Sequence, residues 1–133
     1  MKHINYKMNA KITAEDFSDV FKRSGIVRPV EDLTRLQQML DHASITFTAW
    51  EGDKLVGIAR SVTDFSYCCY LSDLAVDREY QKQGIGKELV RLTKEKIGDE
   101  VTLLLLSAPS AMEYYPKIGF EKIENGFRIQ RKR

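Results

Sequence analysis

The chain reads as an α+β or α/β domain built on a mixed sheet. Three observations predict this. Hydrophobic periods of two and of 3.6 residues succeed one another in the order βααβββαβαββ. The apolar run ending Leu74-Ala75-Val76 leads through a polar, glycine-bearing loop straight into a helical pattern. Val101 to Leu106 is almost continuously apolar, as in a strand covered by helices on both faces.

Ile4, Tyr6 and Met8 alternate with polar residues and predict a short first strand. Thr13 is placed as a helix N-cap, with acidic Glu15 and Asp16 in the first turn. Phe17, Val20 and Phe21 form the apolar stripe of that helix, and Gly25 ends it. A second helix is expected from Glu31 to His42, with Leu33, Leu36, Met39 and Leu40 on one face. Ile45–Trp50 and Leu55–Val62 read as a hairpin around the turn Glu51-Gly52-Asp53-Lys54, and Tyr67–Val76 as the next strand. A helix follows over Gly84–Ile97, stopped by Gly98. Val101–Leu106 is a strand, and Ser107–Lys117 a short helix with Pro109 in its first turn. Phe120–Ile123 and Phe127–Ile129 flank Asn125-Gly126 and predict a closing hairpin.

The 133 residues suit one domain over 1–133, with enough chain for a hydrophobic core. Lys and Arg total 21 against 19 Asp and Glu, a net charge of +2 that argues for neither nucleic acid nor membrane partners. The basic C-terminal residues Arg128, Arg131, Lys132 and Arg133 are read as a solvated strand end. Cys68 and Cys69 are adjacent and point to opposite faces of a strand, unsuited to bridging each other or sharing a metal; His3 and His42 stand apart. No disulfide framework and no metal site is expected, which suits a reducing cytoplasm. No run is long enough to span a membrane, and no signal-peptide pattern opens the chain.

The chemistry-bearing stretch is the strand–loop–helix from Leu74 to Val90. A helix N-terminus after a glycine loop offers unpaired N–H groups and the positive end of the helix dipole, which together favour phosphate or pyrophosphate. It is not a Walker A loop, because Glu88 follows Gly86-Lys87 and the spacing before it is wrong. It is not a full Rossmann fingerprint, because Leu89 stands where the last glycine belongs. The spacing Gln81-x-x-Gly84-x-Gly86 resembles the [R/Q]xxGx[G/A] loop of the Gcn5-related N-acetyltransferase (GNAT) superfamily. Tyr114-Tyr115-Pro116-Lys117-Ile118-Gly119-Phe120 is similar to the FYxxxGF signature of the same family, in the right order with a strand between.

That resemblance covers the whole chain. It implies the GNAT fold, an α/β/α sandwich with six to seven strands in a mixed, mostly antiparallel sheet and four helices. It implies transfer of an acetyl group from acetyl-CoA to a primary amine of a small molecule or protein, by direct attack. Leu74, Ala75 and Val76 are implied to pair with the pantetheine arm, in a gap where this strand and the next splay apart. Gln81, Lys82, Gln83, Gly84, Ile85, Gly86 and Lys87 are implied to hold the pyrophosphate. Ser107 is the adjacent substitute for an asparagine that the family often carries where this chain has Ala108. Tyr115 is implied to protonate the departing thiolate, and Tyr114 reads as packing.

Family members that carry a general base on the fourth strand place it at positions matching Tyr70 or Ser72, neither of which is a base at neutral pH. Strand alternation puts Asp73 on the opposite face, where it is read as a structural hydrogen-bonding residue. Deprotonation is therefore expected through ordered water or a group such as Asp64 or Glu113. The acceptor region is implied around Arg28, which can pair with a carboxylate, and Asp64, which can pair with an amine, with Tyr70 and Ser72 beside them. Small members of the family often pair, so a homodimer is an option. The alternative function is a CoA- or acyl-CoA-binding sensor or accessory module with little catalysis. A weaker third is a generic nucleotide-binding domain for ATP or NAD.

Overall fold

The computed structural model describes residues 3–133. Among the described residues five strands form one sheet in sequential order: β1 (Asn5–Met8), β2 (Ile45–Glu51), β3 (Lys54–Thr63), β4 (Cys68–Val76) and β5 (Thr102–Leu104). Neighbours from β1 to β4 are antiparallel, and β4 and β5 are parallel, as the crossover helix between them requires. The helices are α1 (Ala14–Ser24), α2 (Leu33–Asp41), α3 (Ile85–Ile97) and the single turn α4 (Tyr114–Lys117).

The helices lie on both faces of the sheet. On one face Ile85, Leu89 and Val90 of α3 pack against Phe47, Ala49, Val56, Ala59 and Leu71. On the other, Phe17, Val20 and Phe21 of α1 and Leu36 of α2 pack against Leu55, Ile58 and Ala75. β3 is buried along nearly its whole length because both layers cover it. Gly57 lets α3 sit close: a Cβ there would meet Ile85 Cγ2 at 3.2 Å and Leu89 Cδ1 at 3.3 Å.

Local chemistry sets the helix ends. Thr13 and Asp16 make a reciprocal capping box at the start of α1, and Gly25 ends it in the left-handed region at φ 83°. Asp32 caps α2 by accepting the Arg35 N–H at 3.0 Å. No helix among the described residues is long and apolar enough to cross a membrane.

The closing hairpin is not formed, so the sheet has five strands rather than six to seven and the order ends βααβββαβα. A two-residue Asn-Gly hairpin turn needs positive φ at both residues, and neither Asn125 nor Gly126 adopts it. Phe120–Ile123 and Phe127–Ile129 join no strand. The expected helix over Ser107–Lys117 is split into a 3-10 turn at Pro109–Ala111 and α4.

Asp73 does not lie on the face that strand alternation predicts. Arg60 pairs with Asp73 and Ser61 with Leu71, which leaves Ser72 as an extra residue in β4. This β-bulge shifts the pleat by one residue. Asp73 and Ala75 therefore share the α1–α2 face with Tyr70, while Leu71, Leu74 and Val76 face α3.

Candidate functional site

The site is built along the free side of β4. β3 accompanies β4 from Cys69 to Val76, whereas β5 reaches only Cys68–Tyr70. Beyond Tyr70 one edge of β4 has no strand beside it. The Asp77 N–H donates to the Val56 carbonyl at 2.8 Å, so by two-residue alternation Ala75 also faces β3. The N–H and C=O groups of Leu74 and Val76 then turn to the open edge. There the Val76 carbonyl accepts the Gln81 side-chain amide at 2.9 Å.

β4 ends in a tight descent to α3. Asp77 caps a 3-10 turn, Arg78–Tyr80, by accepting the Glu79 N–H at 2.9 Å. Buried Tyr80 anchors the turn through a hydroxyl that donates to the Glu51 carboxylate, and that bond pushes its phenol up to about 12. Lys82 (φ 67°) and Gly84 (φ 82°) are both left-handed, which curls the backbone between them into a concave run of amides. A non-glycine residue in that region costs about 1–2 kcal/mol, strain of the kind that collects at functional loops.

α3 begins at Gly84 with no side-chain cap, unlike α1 and α2. Its first-turn N–H groups and dipole end therefore remain available beside the open edge of β4. A Cβ on Gly86 would lie 2.6 Å from the Tyr114 hydroxyl oxygen and 3.8 Å from Val76 Cγ2, so α4 closes directly over the first turn of α3. Lys82, Gln83 and Lys87 are exposed, and the Gln83 side chain reaches the Glu79 carbonyl at 3.5 Å. A cleft of about 680 Å³ runs from Gly84 and Lys87 along α3 towards Ile118. An anionic pyrophosphate fits the loop end of this setting, with its dipole end and adjacent lysines, while Glu88, Glu95 and Asp99 line the rest of the cleft beside Arg91 and Lys94.

α4 presents two phenols. Tyr115 packs edge-on against Tyr114 at 5.3 Å and Phe120 at 5.5 Å between ring centres. Burial raises the Tyr115 phenol, with Tyr114 adding to the rise and the Arg28 charge opposing it. Burial raises Tyr114 too. Both remain protonated around neutral pH. Tyr114 does more than fill space, because its hydroxyl reaches the phosphate-type loop; the signal available in sequence was a tyrosine where the signature has phenylalanine.

On the α1–α2 face the bulge brings a buried ion cluster to β4. Asp73, with a side chain 0% exposed, accepts Arg28 Nε at 2.6 Å on one oxygen and Arg60 Nε at 2.5 Å on the other. Arg28 also donates to the Ser72 carbonyl at 3.0 Å, and Arg60 to the Ser72 hydroxyl at 3.1 Å. Arg28 and Ser72 thus meet around Asp73, with their polar groups engaged inside the protein. Arg60 was missed from sequence, because a lone arginine in an apolar strand gives no sign of its partner.

The remaining predicted positions lie apart or are already engaged. Asp64 Oδ1 accepts the N–H groups of Ser66, Tyr67 and Cys68 at 2.8–3.1 Å, which lowers its pKa to about 2. It caps the β3–β4 turn and is no proton acceptor near neutral pH. Ser107 donates to the Ala108 carbonyl at 2.7 Å. Tyr70, 38% exposed, stands opposite Leu104 where β4 and β5 part.

Comparisons with known proteins bear on the family and the fold. The family model described as an acetyltransferase (GNAT) domain matches residues 10–130. A curated relative, GCN5-related N-acetyltransferase 2, chloroplastic, of Arabidopsis thaliana, is 35% identical over 77 residues, covering 56% of this chain and 30% of that protein. The chain thus spans about a third of the length of the first curated relatives it matches. A probable acetyltransferase of unknown function from meticillin-resistant Staphylococcus aureus superposes with a TM-score of 0.81 at 23% identity, over 97% of this chain and 100% of the other. The aminoglycoside N-acetyltransferase AAC(6')-Iy, solved with CoA, superposes with a TM-score of 0.70 at 17% identity, over 99% and 97%. With the family model matching residues 10–130, nearly the whole chain, the chain belongs to the GNAT acetyltransferase family.

Proposed function

We propose that residues 1–133 form one acetyltransferase domain that moves an acetyl group from acetyl-CoA to a primary amine, by direct attack on the thioester. The observation that carries this reading is the open edge of β4, which runs into the uncapped N-terminus of α3 beneath the phenols of α4. The thioester supplies the activated acyl group. Leu74 and Val76 offer main-chain partners to an extended arm, in the manner of an added strand. Amides from Gln83 to Lys87 hold the pyrophosphate, with Gly84 and Gly86 permitting close approach. A main-chain N–H near Leu74 stabilises the developing oxyanion. Tyr115, kept protonated by burial, gives its proton to the departing thiolate.

The amine loses its proton to ordered water or to exposed Glu113, since Asp73 is held by two arginines and Asp64 by three amides. The acceptor is a small-molecule or protein amine lodged beside Tyr70 and the Arg28–Ser72 segment, and the protein works in the cytoplasm. The engagement of both Asp73 and Asp64 within the fold favours one second reading, a CoA-binding module with little turnover.

The test is a melting series with acetyl-CoA, CoA, ATP and NAD, followed by thiol release with a panel of amines. Ligand at a hundredfold excess over Kd adds about 2.7 kcal/mol. At about 3–5 °C per kcal/mol for a chain of this size, the shift is roughly 8–13 °C. A shift with acetyl-CoA and CoA alone supports the site, and amine-dependent thiol release supports the transferase. A shift without release across the panel favours the binding module; no shift removes the acyl-CoA reading.

A further inference from the structure

The sheet face that carries α1 and α2 is left partly bare beside the site. Val62, Tyr70 and Leu104 stand in direct register across β3, β4 and β5. They share the α1–α2 face, because Cys69 and Leu71, which flank Tyr70, and Leu103, which precedes Leu104, pack with α3. α2 covers the preceding row, where the Met39 carbonyl accepts Arg60 Nη1 at 3.3 Å, but Val62, Tyr70 and Leu104 remain 48%, 38% and 41% exposed. Large apolar side chains exposed side by side form a shelf rather than a scatter of surface residues. Two strand spacings make it roughly 10 Å wide, enough for one ring or short alkyl chain and too narrow for a protein interface.

The shelf ends where the open edge of β4 begins, since Tyr70 is the last β4 residue paired with β5. Its inner border is the cluster in which Arg28 and Arg60 share the single carboxylate of Asp73, leaving a net positive charge. The Arg28 charge acts on the Tyr115 phenol, which ties shelf, cluster and proton donor to one region. The outer border is the turn between β3 and β4. There Asp64 Oδ1 accepts the Ser66, Tyr67 and Cys68 N–H groups, and the Phe65 N–H donates to Thr63 Oγ1 at 3.0 Å. These bonds hold Phe65, 47% exposed, in the left-handed region at φ 58°. A bulky residue at positive φ is strained, and such strain collects where ligands are gripped.

We propose that the acceptor is a small monoamine with an apolar body, an aralkyl- or alkylamine, whose body lies on the Val62–Tyr70–Leu104 shelf with its nitrogen turned to the thioester at the open edge of β4. This inference rests on the acetyl-transfer reading and narrows it. The apolar body loses water against the apolar side chains of the row. A polyamine or an aminoglycoside would bring further ammonium groups against the net positive cluster. Of the carboxylates that border the shelf, Asp73 is 0% exposed and Asp64 is committed to its turn. In the transfer itself the amine nitrogen bonds the acetyl carbon and the C–S bond breaks. The thiolate takes the Tyr115 proton, and the proton that the amine loses to solvent restores the phenol.

The test is thiol release from acetyl-CoA with phenethylamine and hexylamine against spermidine and kanamycin, at one pH and ionic strength. The apolar monoamines should exceed the polycations in kcat/KM by about tenfold or more. Leu104→Glu should remove about tenfold of that ratio, on the same scale of pocket discrimination. Val62→Thr, which keeps the side chain's size and adds no charge, should narrow the ratio severalfold without threatening the fold. In both variants KM for acetyl-CoA should stay at the wild-type value, which general damage to the fold would not allow. Spermidine or kanamycin turned over as well as the monoamines overturns the inference and leaves acetyl transfer standing. A preference for monoamines that neither variant moves overturns their placement on this shelf. Wild-type protein that binds acetyl-CoA but releases thiol with no amine overturns the transferase reading, and the inference with it.

Discussion

Removing the Asp73 carboxylate should cost more than removing either arginine that binds it. Asp73 is fully enclosed, Arg60 is 8% exposed and Arg28 is 30% exposed at the side chain. Asp73→Ala leaves the Arg60 guanidinium buried without a counter-charge, and breaking a buried pair in this way costs about 3–5 kcal/mol. Arg60→Met leaves Asp73 paired with Arg28 but gives up the Arg60 bonds to Asp73, Ser72 Oγ and the Met39 carbonyl, about 3 kcal/mol at roughly 1 each for such bonds. Arg28→Ala removes a partly solvated partner and leaves Asp73 bound to Arg60, about 1–2 kcal/mol. The expected order of destabilisation is Asp73→Ala, Arg60→Met, Arg28→Ala. At about 3–5 °C per kcal/mol, Asp73→Ala lowers Tm by roughly 9–25 °C. Urea midpoints at constant m give the free energies directly. Asp73→Ala within about 1 kcal/mol of wild type, or Arg28→Ala as costly as Asp73→Ala, would refute the reasoning.

Tyr115→Phe keeps the ring packing and removes the proton, so kcat should fall on the order of 10²-fold or more while acetyl-CoA binding is retained. Because the folded phenol titrates above its usual 10.0, the wild-type rate should hold its proton-donor limb past that pH. The same shift helps folding below the unfolded value and is lost as pH rises through the folded one. Gly86→Ala is compatible with the family loop and improves helix propensity by up to about 1 kcal/mol. Here, however, the new methyl meets the Tyr114 oxygen at 2.6 Å. The gain should therefore appear in a Tyr114→Phe background and be diminished without it, and equal melting shifts in both backgrounds would discount that contact. For Asp64, whose folded pKa of about 2 lies below its usual 3.8, the stabilising contribution is complete above about pH 4 and fades as pH falls towards 2. Asp64→Ala should accelerate hydrogen exchange at Ser66, Tyr67 and Cys68, and unchanged rates would contradict its capping role.

Much of the fold and the outline of the site can be read from sequence because local rules carry them. Thr13, Asp32, Gly25 and Gly98 mark helix ends through their own hydrogen bonds or backbone angles. The alternation in β2 and β3 and the stripes of α1 and α3 state which faces are buried. Gly84 and Gly86 mark the loop because close approach and positive φ are properties of single residues. What no local rule carries is partnership across the sheet. The bulge at Ser72 depends on the register between β3 and β4, and that register turned Asp73 towards Arg28 and Arg60. That Phe127 and Ile129 join no strand is decided by where the rest of the fold leaves them, not by their own pattern. Sequence by itself determined the elements as far as β5, the loop and the family; tertiary structure alone decided which charges meet and which edges stay open, because both depend on contacts between residues far apart in the chain.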